Sequence, residues 1–155
     1  MKLIAHRGLL HGPSALENHP DTILSSLGWG FDVEVDVWYI NDKFVLGHDR
    51  PEYEIGLDFL DDERVWIHCK NLAALDTLYM AETYADVFWH QSDDVAVTRK
   101  GFFWTYPGRS LVKRSVYVLP ELVDKGLQEI NKINCHAVCT DYGLHLRDKL
   151  VNGQR

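Results

Sequence analysis

The chain has 155 residues, the length of one typical domain, and we expect a single domain spanning residues 1–155. Hydrophobic residues at 46% and charged residues at 25% are usual for folded globular proteins, which disfavours disorder, collagen-like repeats and coiled coil. The net charge of −7 argues against duplex nucleic acid or an anionic membrane as the main partner, because both demand a basic surface.

The N-terminus and the cysteines indicate a cellular compartment. Residues 1–8 lack the apolar stretch of a signal peptide, and no segment approaches the ~18 apolar residues of a membrane span. The three cysteines are Cys69, Cys135 and Cys139; an odd count without CxxC spacing indicates neither a disulfide framework nor a structural zinc site. We therefore expect a cytoplasmic protein without a membrane span.

Short apolar runs that end in polar residues recur along the chain and predict buried strands. In chain order they are 3–5, 31–38, 43–46, 65–67, 87–89, 102–104, 116–119 and 137–138. Helical patterns lie between some of them, at 20–27, 72–84 and 120–133. This alternation predicts parallel strand–helix–strand units.

We predict an α/β fold, specifically a reduced TIM-type barrel, because the polar residues fall at strand C-terminal ends, where barrel enzymes carry their chemistry. A complete barrel uses about 250 residues, about 90 more than this chain has. The connections 91–102 and 107–116 are too short for full helices. Several outer helices are therefore expected to be shortened or missing.

The segment 33–38 places two carboxylates on one face of a strand. Because side chains alternate along a strand, Glu34 and Asp36 share one face and three valines share the other. Like charges this close destabilise a buried site unless a cation lies between them. The alternative is an antiparallel strand with a solvated acidic face. His68 and Lys70 share a face of the next strand in the same way, although a lone histidine is more often a hydrogen-bonded structural residue.

Two histidines, His6 and His48, each follow an apolar run. Imidazole titrates near neutrality, so a pair of histidines on opposite sides of a substrate can act as base and acid in turn. His90 and Trp104 also stand at strand ends, where they are candidates to line a pocket, although a core role is the commoner one for such residues.

Several short motifs resemble those of the glycerophosphodiester phosphodiesterase family, in the same order and at similar spacing. They are His6-Arg7-Gly8, Glu17-Asn18, Glu34-Val35-Asp36-Val37 and Gly47-His48-Asp49. A weaker similarity follows: the segment 65–70 stands where the family has a strand with Glu-x-Lys, and 137–142 resembles the family's closing strand, which ends in Thr-Asp.

This resemblance implies a metal-dependent phosphodiesterase on a TIM-type barrel that acts on a small phosphodiester. The roles it implies are His6 and His48 as the general acid/base pair, Glu34 and Asp36 as metal ligands, Arg7 and Lys70 as phosphate contacts, and Glu17 as a supporting residue beside the metal and the arginine. In the family mechanism a substrate hydroxyl attacks phosphorus, and water then opens the resulting cyclic phosphate.

The sequence departs from the family at His68, which replaces the Glu of Glu-x-Lys. His68 is then either a third metal ligand or a mark of lost activity. A nitrogen ligand disfavours Ca²⁺, which prefers oxygen, so we expect Mg²⁺, with Mn²⁺ or Ca²⁺ as alternatives.

Two further functions stay open. One is a catalytically silent barrel that binds a phosphorylated ligand through Arg7 and Lys70; the other is a lyase that stops at the cyclic phosphate. The presence of both His6 and His48 favours an enzyme, because a pure binding protein needs no acid/base pair. The sequence leaves the substrate alcohol and the oligomeric state undetermined.

Overall fold

The computed structural model describes residues 1–152 and shows a mixed α/β fold. Its strands are β1 (Lys2–Ala5), β2 (Asp32–Ile40), β3 (Lys43–Leu46), β4 (Tyr53–Ile55), β5 (Val65–Cys69), β6 (Asp86–Trp89), β7 (Val95–Val97), β8 (Phe103–Thr105), β9 (Ser115–Val118) and β10 (Ala137–Thr140). Its α-helices are α1 (Pro20–Gly28), α2 (Leu57–Leu60), α3 (Leu72–Met80) and α4 (Gly143–Asn152).

Eight of the ten strands form a curled sheet, in the order β6-β5-β2-β1-β10-β9-β8-β7, that makes a half-barrel. The other two extend it antiparallel from β2, with β3 paired to β2 and β4 paired to β3. Neighbours are parallel from β6 to β8, and β7 is antiparallel to β8. The curl brings Phe88 of β6 to Trp104 of β8, with ring centroids 4.4 Å apart. The predicted α/β class and parallel strands are confirmed, and the curl agrees with a reduced barrel.

The long strand β2 changes partners along its length. Its start pairs with β1, where Ile4 is opposite Asp32, and its last four residues pair with β3, where Ile40 is opposite Lys43. On its other edge β2 pairs with β5 from Val33 to Val37. The middle of β2 therefore has one edge free of strand partners, and this is the part that carries Glu34 and Asp36.

Side-chain alternation divides the core into an inner and an outer layer. The outward side chains of β2 and β5, such as Val35 and Ile67, pack in one cluster with Ile23 of α1 and Leu78 of α3. A second cluster fills the concave side of the sheet: Ile4, Trp66, Phe88, Ala96, Trp104, Val116, Val118, Ala137 and Cys139. These apolar side chains close the lower part of the concave side, which leaves polar side chains grouped at the strand ends.

The helices are fewer than the sequence patterns predict. Helix α1 agrees with the predicted segment 20–27, and α3 ends at Met80 rather than continuing to residue 84. The predicted helix over 120–133 is wrong: this segment contains two 3-10 turns, Pro120–Leu122 and Ile130–Lys132. The reason is local, because Lys125 has a φ of 59° and the Gly126 Cα packs against the Pro120 carbonyl, where a side chain would collide.

None of the helices formed by residues 1–152 combines the length and the apolar character that crossing a membrane requires.

Candidate active site

Polar side chains from several strands surround one cavity of about 320 Å³ at the C-terminal end of the parallel strands. It is lined by His6, Arg7, Glu34, Asp36, His48, His68, His90, Trp104, Tyr106, Pro107, Val118, Leu119 and Leu122. Parallel strands bring their C-terminal ends to one edge of the sheet, so residues far apart in sequence meet there. The sequence-predicted residues His6, Arg7, Glu34, Asp36 and His68 are brought together in this way, and His48 reaches the same cavity from the turn after the antiparallel strand β3.

The buried carboxylates Glu34 and Asp36 form the centre of the site, with 2% and 0% of their surface exposed. Burial and the neighbouring charge of Asp36 raise the pKa of Glu34, against the opposing effect of His6 and His68. Burial also raises the pKa of Asp36, but the hydrogen bond from His68 and the charges of His68, Lys70 and Arg7 outweigh it and hold that pKa well below its usual range. The solvated acidic face considered above is therefore wrong.

Asn18 occupies the free edge of β2 beside Asp36. The Asp36 backbone N–H donates to Asn18 Oδ1 at 2.9 Å, and Asn18 Nδ2 donates to Asp36 Oδ2 at 2.9 Å. Asn18 is fully buried with a φ of 58°, a left-handed conformation that asparagine tolerates better than most residues. One side chain thus completes the strand edge and orients a carboxylate.

His68 lies between two hydrogen-bond acceptors. Its Nδ1 is 2.9 Å from Asp36 Oδ1, and its Nε2 is 3.1 Å from the His90 carbonyl oxygen. The two contacts hold the imidazole ring in one orientation beside Asp36. Glu34, Asp36 and His68 each also offer a ligand atom, and these atoms lie within 4.8 Å of one another.

His6 follows β1 directly and is held from both sides. Its Nδ1 is 2.7 Å from Asp141 Oδ1, and its Nε2 is 3.9 Å from Glu34 Oε2. Burial lowers the pKa of His6, but the hydrogen bond with Asp141 and the charge of Glu34 more than offset this and leave the pKa above its ordinary value. His6 therefore carries a proton over a wider pH range than a free histidine.

The Arg7 guanidinium lies between two carboxylates at the edge of the cavity. Its Nη1 donates to Glu17 Oε2 at 2.8 Å, and its Nε lies 3.1 Å from Asp36 Oδ2. That second contact is an ion pair without hydrogen-bond geometry, and Nε has no hydrogen-bond partner within residues 1–152. Glu17 thus holds the Arg7 guanidinium in place, and the buried Arg7 Nε–H is left to donate a hydrogen bond to a ligand.

His48 reaches the cavity from the turn after β3 and hydrogen-bonds Asp49, Nδ1 to Oδ1, at 2.7 Å. The turn depends on Gly47, which has a φ of 144° and whose missing side chain would collide with the Arg50 carbonyl. Trp38 Nε1 donates to the Gly47 carbonyl at 2.6 Å and anchors the same turn. His48 is about one-third exposed, whereas His6 is almost covered.

Lys70 follows β5 and is displaced from the main cavity. Its Nζ is 3.4 Å from Asp36 Oδ1, and its side chain lines an adjoining cavity of about 280 Å³. The two cavities share His48, His68, His90 and Tyr106. The Lys70 ammonium group is therefore close to Asp36, and it would reach a ligand in the main cavity from the adjoining one.

Asn18, Asp141 and Tyr106 belong to the site, yet their roles were not predicted from the sequence. Asn18 and Asp141 stand inside the motifs at 17–18 and 137–142, so the sequence indicated that these positions belong to the site without indicating their roles. Tyr106 follows the short strand β8 without any motif, and only the curl of the sheet brings it to His90, with ring centroids 4.2 Å apart.

A larger cavity, about 660 Å³, lies elsewhere, between α3 and the strands β6 and β7. Leu75, Tyr79, Met80 and Val97 are among its mostly apolar lining residues. Its lining contains no cluster of buried ionisable groups like that around Glu34. We therefore take the smaller cavity as the candidate active site.

The chain matches no protein-family model, no curated protein and no solved structure in the comparisons made with each. The residues of the site therefore carry the functional argument by themselves.

Proposed function

We propose that the protein is a metal-dependent phosphodiesterase, built on a reduced TIM-type barrel, that hydrolyses a small phosphodiester such as a glycerophosphodiester. One observation carries the proposal: the buried carboxylates Glu34 and Asp36, the partly buried Arg7 and the histidines His6 and His48 line a single cavity of about 320 Å³. Membership of the glycerophosphodiester phosphodiesterase family is part of this proposal, supported by the order of the motifs along the chain.

The donor set fits a divalent cation. Burial and mutual repulsion raise the pKa of Glu34 beside Asp36, and a cation between the two carboxylates relieves that repulsion. Glu34, Asp36 and His68 would hold the ion, with Mg²⁺ favoured and Mn²⁺ or Ca²⁺ as alternatives. A metal there would supply stabilisation of the negative charge that develops on the phosphoryl oxygens.

The two histidines differ in a way that suits opposite roles. Asp141 and Glu34 raise the pKa of His6, which suits this histidine to protonate the leaving alkoxide. His48 is more exposed, and it accepts the proton of the substrate hydroxyl as that oxygen attacks phosphorus. The phosphorus–oxygen bond to the leaving alcohol breaks, giving a cyclic phosphate. Water then opens this ring, with His6 taking the water's proton and His48 returning its proton to the alkoxide.

Arg7 and Lys70 are proposed to bind the phosphate. The Arg7 Nε–H is buried beside the cavity without a hydrogen-bond partner among residues 1–152, and it can donate to a phosphoryl oxygen. Lys70, in the adjoining cavity, adds a positive charge from the side. Glu17 holds the guanidinium in place at 2.8 Å.

The silent phosphate-binding barrel is the second candidate, and one observation favours it. Asp36 already has Arg7, His68 and Lys70 within ion-pair distance, so the charges around it are matched without a metal. Two histidines on one cavity still favour the enzyme, because ligand binding alone does not require them.

A cytoplasmic location also belongs to the proposal. It is supported by the free thiols of Cys69, Cys135 and Cys139, which suit a reducing compartment.

A ³¹P NMR time course on a panel of phosphodiesters, with Mg²⁺, Mn²⁺ or Ca²⁺ added, tests the function. We expect conversion to a phosphomonoester that depends on the metal and is lost in His6→Ala. Accumulation of a cyclic phosphate as the final product would identify the lyase instead. Binding of the diesters without turnover under any metal would identify the silent barrel and overturn the proposed hydrolase.

A further inference from the structure

His90 is a buried side chain whose polar atoms have no partner within residues 1–152. It follows β6, is 7% exposed, and neither of its ring nitrogens makes a hydrogen bond to any described residue. Buried polar atoms are nearly always hydrogen-bonded, so such an exception calls for a physical explanation. The ring of His90 lines both the main cavity and the adjoining one, so a bound ligand can supply what the protein does not.

The cavity has two chemically different walls. One wall is charged and contains Arg7, Glu34, Asp36 and the two proposed catalytic histidines. The other is apolar and aromatic: Trp104, Pro107, Val118, Leu119 and Leu122. His90 and Tyr106 stand beside this second wall and add polar atoms without a carboxylate or an amine.

The backbone of His90 is tied to the charged wall. Its carbonyl oxygen accepts the hydrogen bond from His68 Nε2 at 3.1 Å, while His68 Nδ1 lies 2.9 Å from Asp36. The rings of His68 and His90 have centroids 6.0 Å apart. His68 thus stands between Asp36 and the His90 ring, and an alcohol that extends past His68 from a phosphate at the carboxylates lies against His90.

We propose that His90 is a specificity-determining residue whose ring nitrogens bind hydroxyl groups on the alcohol of the phosphodiester, with the carbon skeleton of that alcohol lying against Tyr106 and Trp104. The inference rests on the proposed function and names its substrate class: diesters of polyhydroxylated alcohols. The two ring nitrogens of an imidazole are one donor and one acceptor that point in different directions, and a hydroxyl group can pair with either of them. A quaternary ammonium group supplies neither, and a carboxylate only accepts.

The test compares two diesters that differ only in these hydroxyl groups. Glycerophosphoglycerol carries a hydroxylated alcohol; its counterpart, the diester of glycerol phosphate with 1-propanol, lacks the hydroxyls on that side but keeps the attacking hydroxyl on the other. We expect wild-type kcat/KM to favour the hydroxylated diester by about tenfold or more, the usual worth of a good buried hydrogen bond. His90→Phe keeps an aromatic ring against Tyr106 and should abolish this preference.

The exposed His145 on α4 offers the matched control, because His145→Phe makes the same chemical change away from the cavity. It should retain the wild-type preference. His90→Gln keeps one donor and one acceptor and should retain part of it, and circular dichroism of each variant checks that the fold persists. A preference equal in wild type and His90→Phe would overturn the inference and leave the phosphodiesterase standing.

Calorimetric binding of both diesters separates the two proposals. If wild type turns over neither diester but binds the hydroxylated one more tightly, and His90→Phe loses that difference, the role of His90 stands and the hydrolase falls. If wild type binds neither diester, both proposals fall.

Discussion

His6 Nδ1 lies 2.7 Å from Asp141 Oδ1, which links two residues 135 positions apart. The contact continues the pairing of β1 with β10, where Ala5 is opposite Thr140, so each residue stands directly after its strand. Asp141 thereby sets the orientation of the imidazole and leaves Nε2 facing Glu34, 3.9 Å away. Asp141 is thus a positioning residue for the proposed acid.

Asp141→Asn should lower the pKa of His6, because it removes the negative charge that favours the imidazolium and leaves only a neutral, weaker acceptor for the hydrogen bond. We expect kcat/KM to fall and the limb of its pH profile that reports the protonated acid to move to lower pH. NMR titration of the His6 ring measures the same shift directly. An unchanged His6 titration would contradict the role of Asp141.

The same pair makes stability depend on pH. The folded-state pKa of His6 is raised above 6.5, so its stabilisation is complete below pH 6.5 and is lost as the pH rises through the raised value. Denaturant unfolding between pH 6 and 9 should show this loss in wild type and a weaker one in Asp141→Asn.

His6→Ala and His48→Ala should each lower kcat by roughly 10²–10⁴, the usual contribution of general acid/base catalysis. The exposed His145→Ala serves as the control and should keep wild-type turnover. If either active-site variant kept wild-type kcat on a confirmed substrate, that histidine would lose its proposed role.

His68 should control metal affinity. Its Nδ1 lies 2.9 Å from Asp36 Oδ1, so a metal must replace this contact before that nitrogen can act as a ligand. His68→Glu adds a carboxylate and should strengthen metal binding and shift preference toward Ca²⁺, whereas His68→Ala should weaken it. Calorimetric titration with Mg²⁺ and Ca²⁺ measures both; identical affinities in all three proteins would show that His68 is not a ligand.

Asn18→Ala should destabilise the protein and displace Asp36. It leaves the buried Asp36 N–H without its acceptor and Asp36 Oδ2 without a donor, a loss of about 2 kcal/mol or more in the free energy of unfolding. Chemical denaturation measures the loss. The exposed Asn152, at the end of α4, is a control in which the same substitution should change stability little.

Gly47→Ala should lower activity more than the size of a methyl group suggests. The new Cβ would collide with the Arg50 carbonyl at a φ of 144°, so the turn must move and carry His48 with it. We expect a lower kcat and a lower melting temperature. Gly30→Ala is the matched control for positive φ, because no atom lies within 4 Å of a Cβ there; it should cost stability without affecting kcat.

Features that depend on the order of neighbouring residues could be predicted from the sequence. Alternation along 33–38 predicted that Glu34 and Asp36 share a face, and strand ends predicted that His6, His48 and His68 follow or close buried runs. These inferences hold because strand periodicity is a property of neighbouring residues. The helix predicted over 120–133 is wrong, although its apolar residues have helical spacing. Lys125 and Gly126 adopt conformations that interrupt a helix, and the spacing of apolar residues carries no information about them.

Which groups meet in the site follows from the folded arrangement of the strands and could not be predicted from the sequence. The pairing of β1 with β10 joins His6 to Asp141, the edge left free on β2 admits Asn18, and the curl of the sheet brings Tyr106 to His90. The sequence also did not predict that Lys70 lies beside the main cavity. Nor did it predict that both ring nitrogens of His68 make hydrogen-bond contacts. Such contacts depend on sheet order and curvature, which arise from packing across the whole domain and leave no periodic trace in the sequence.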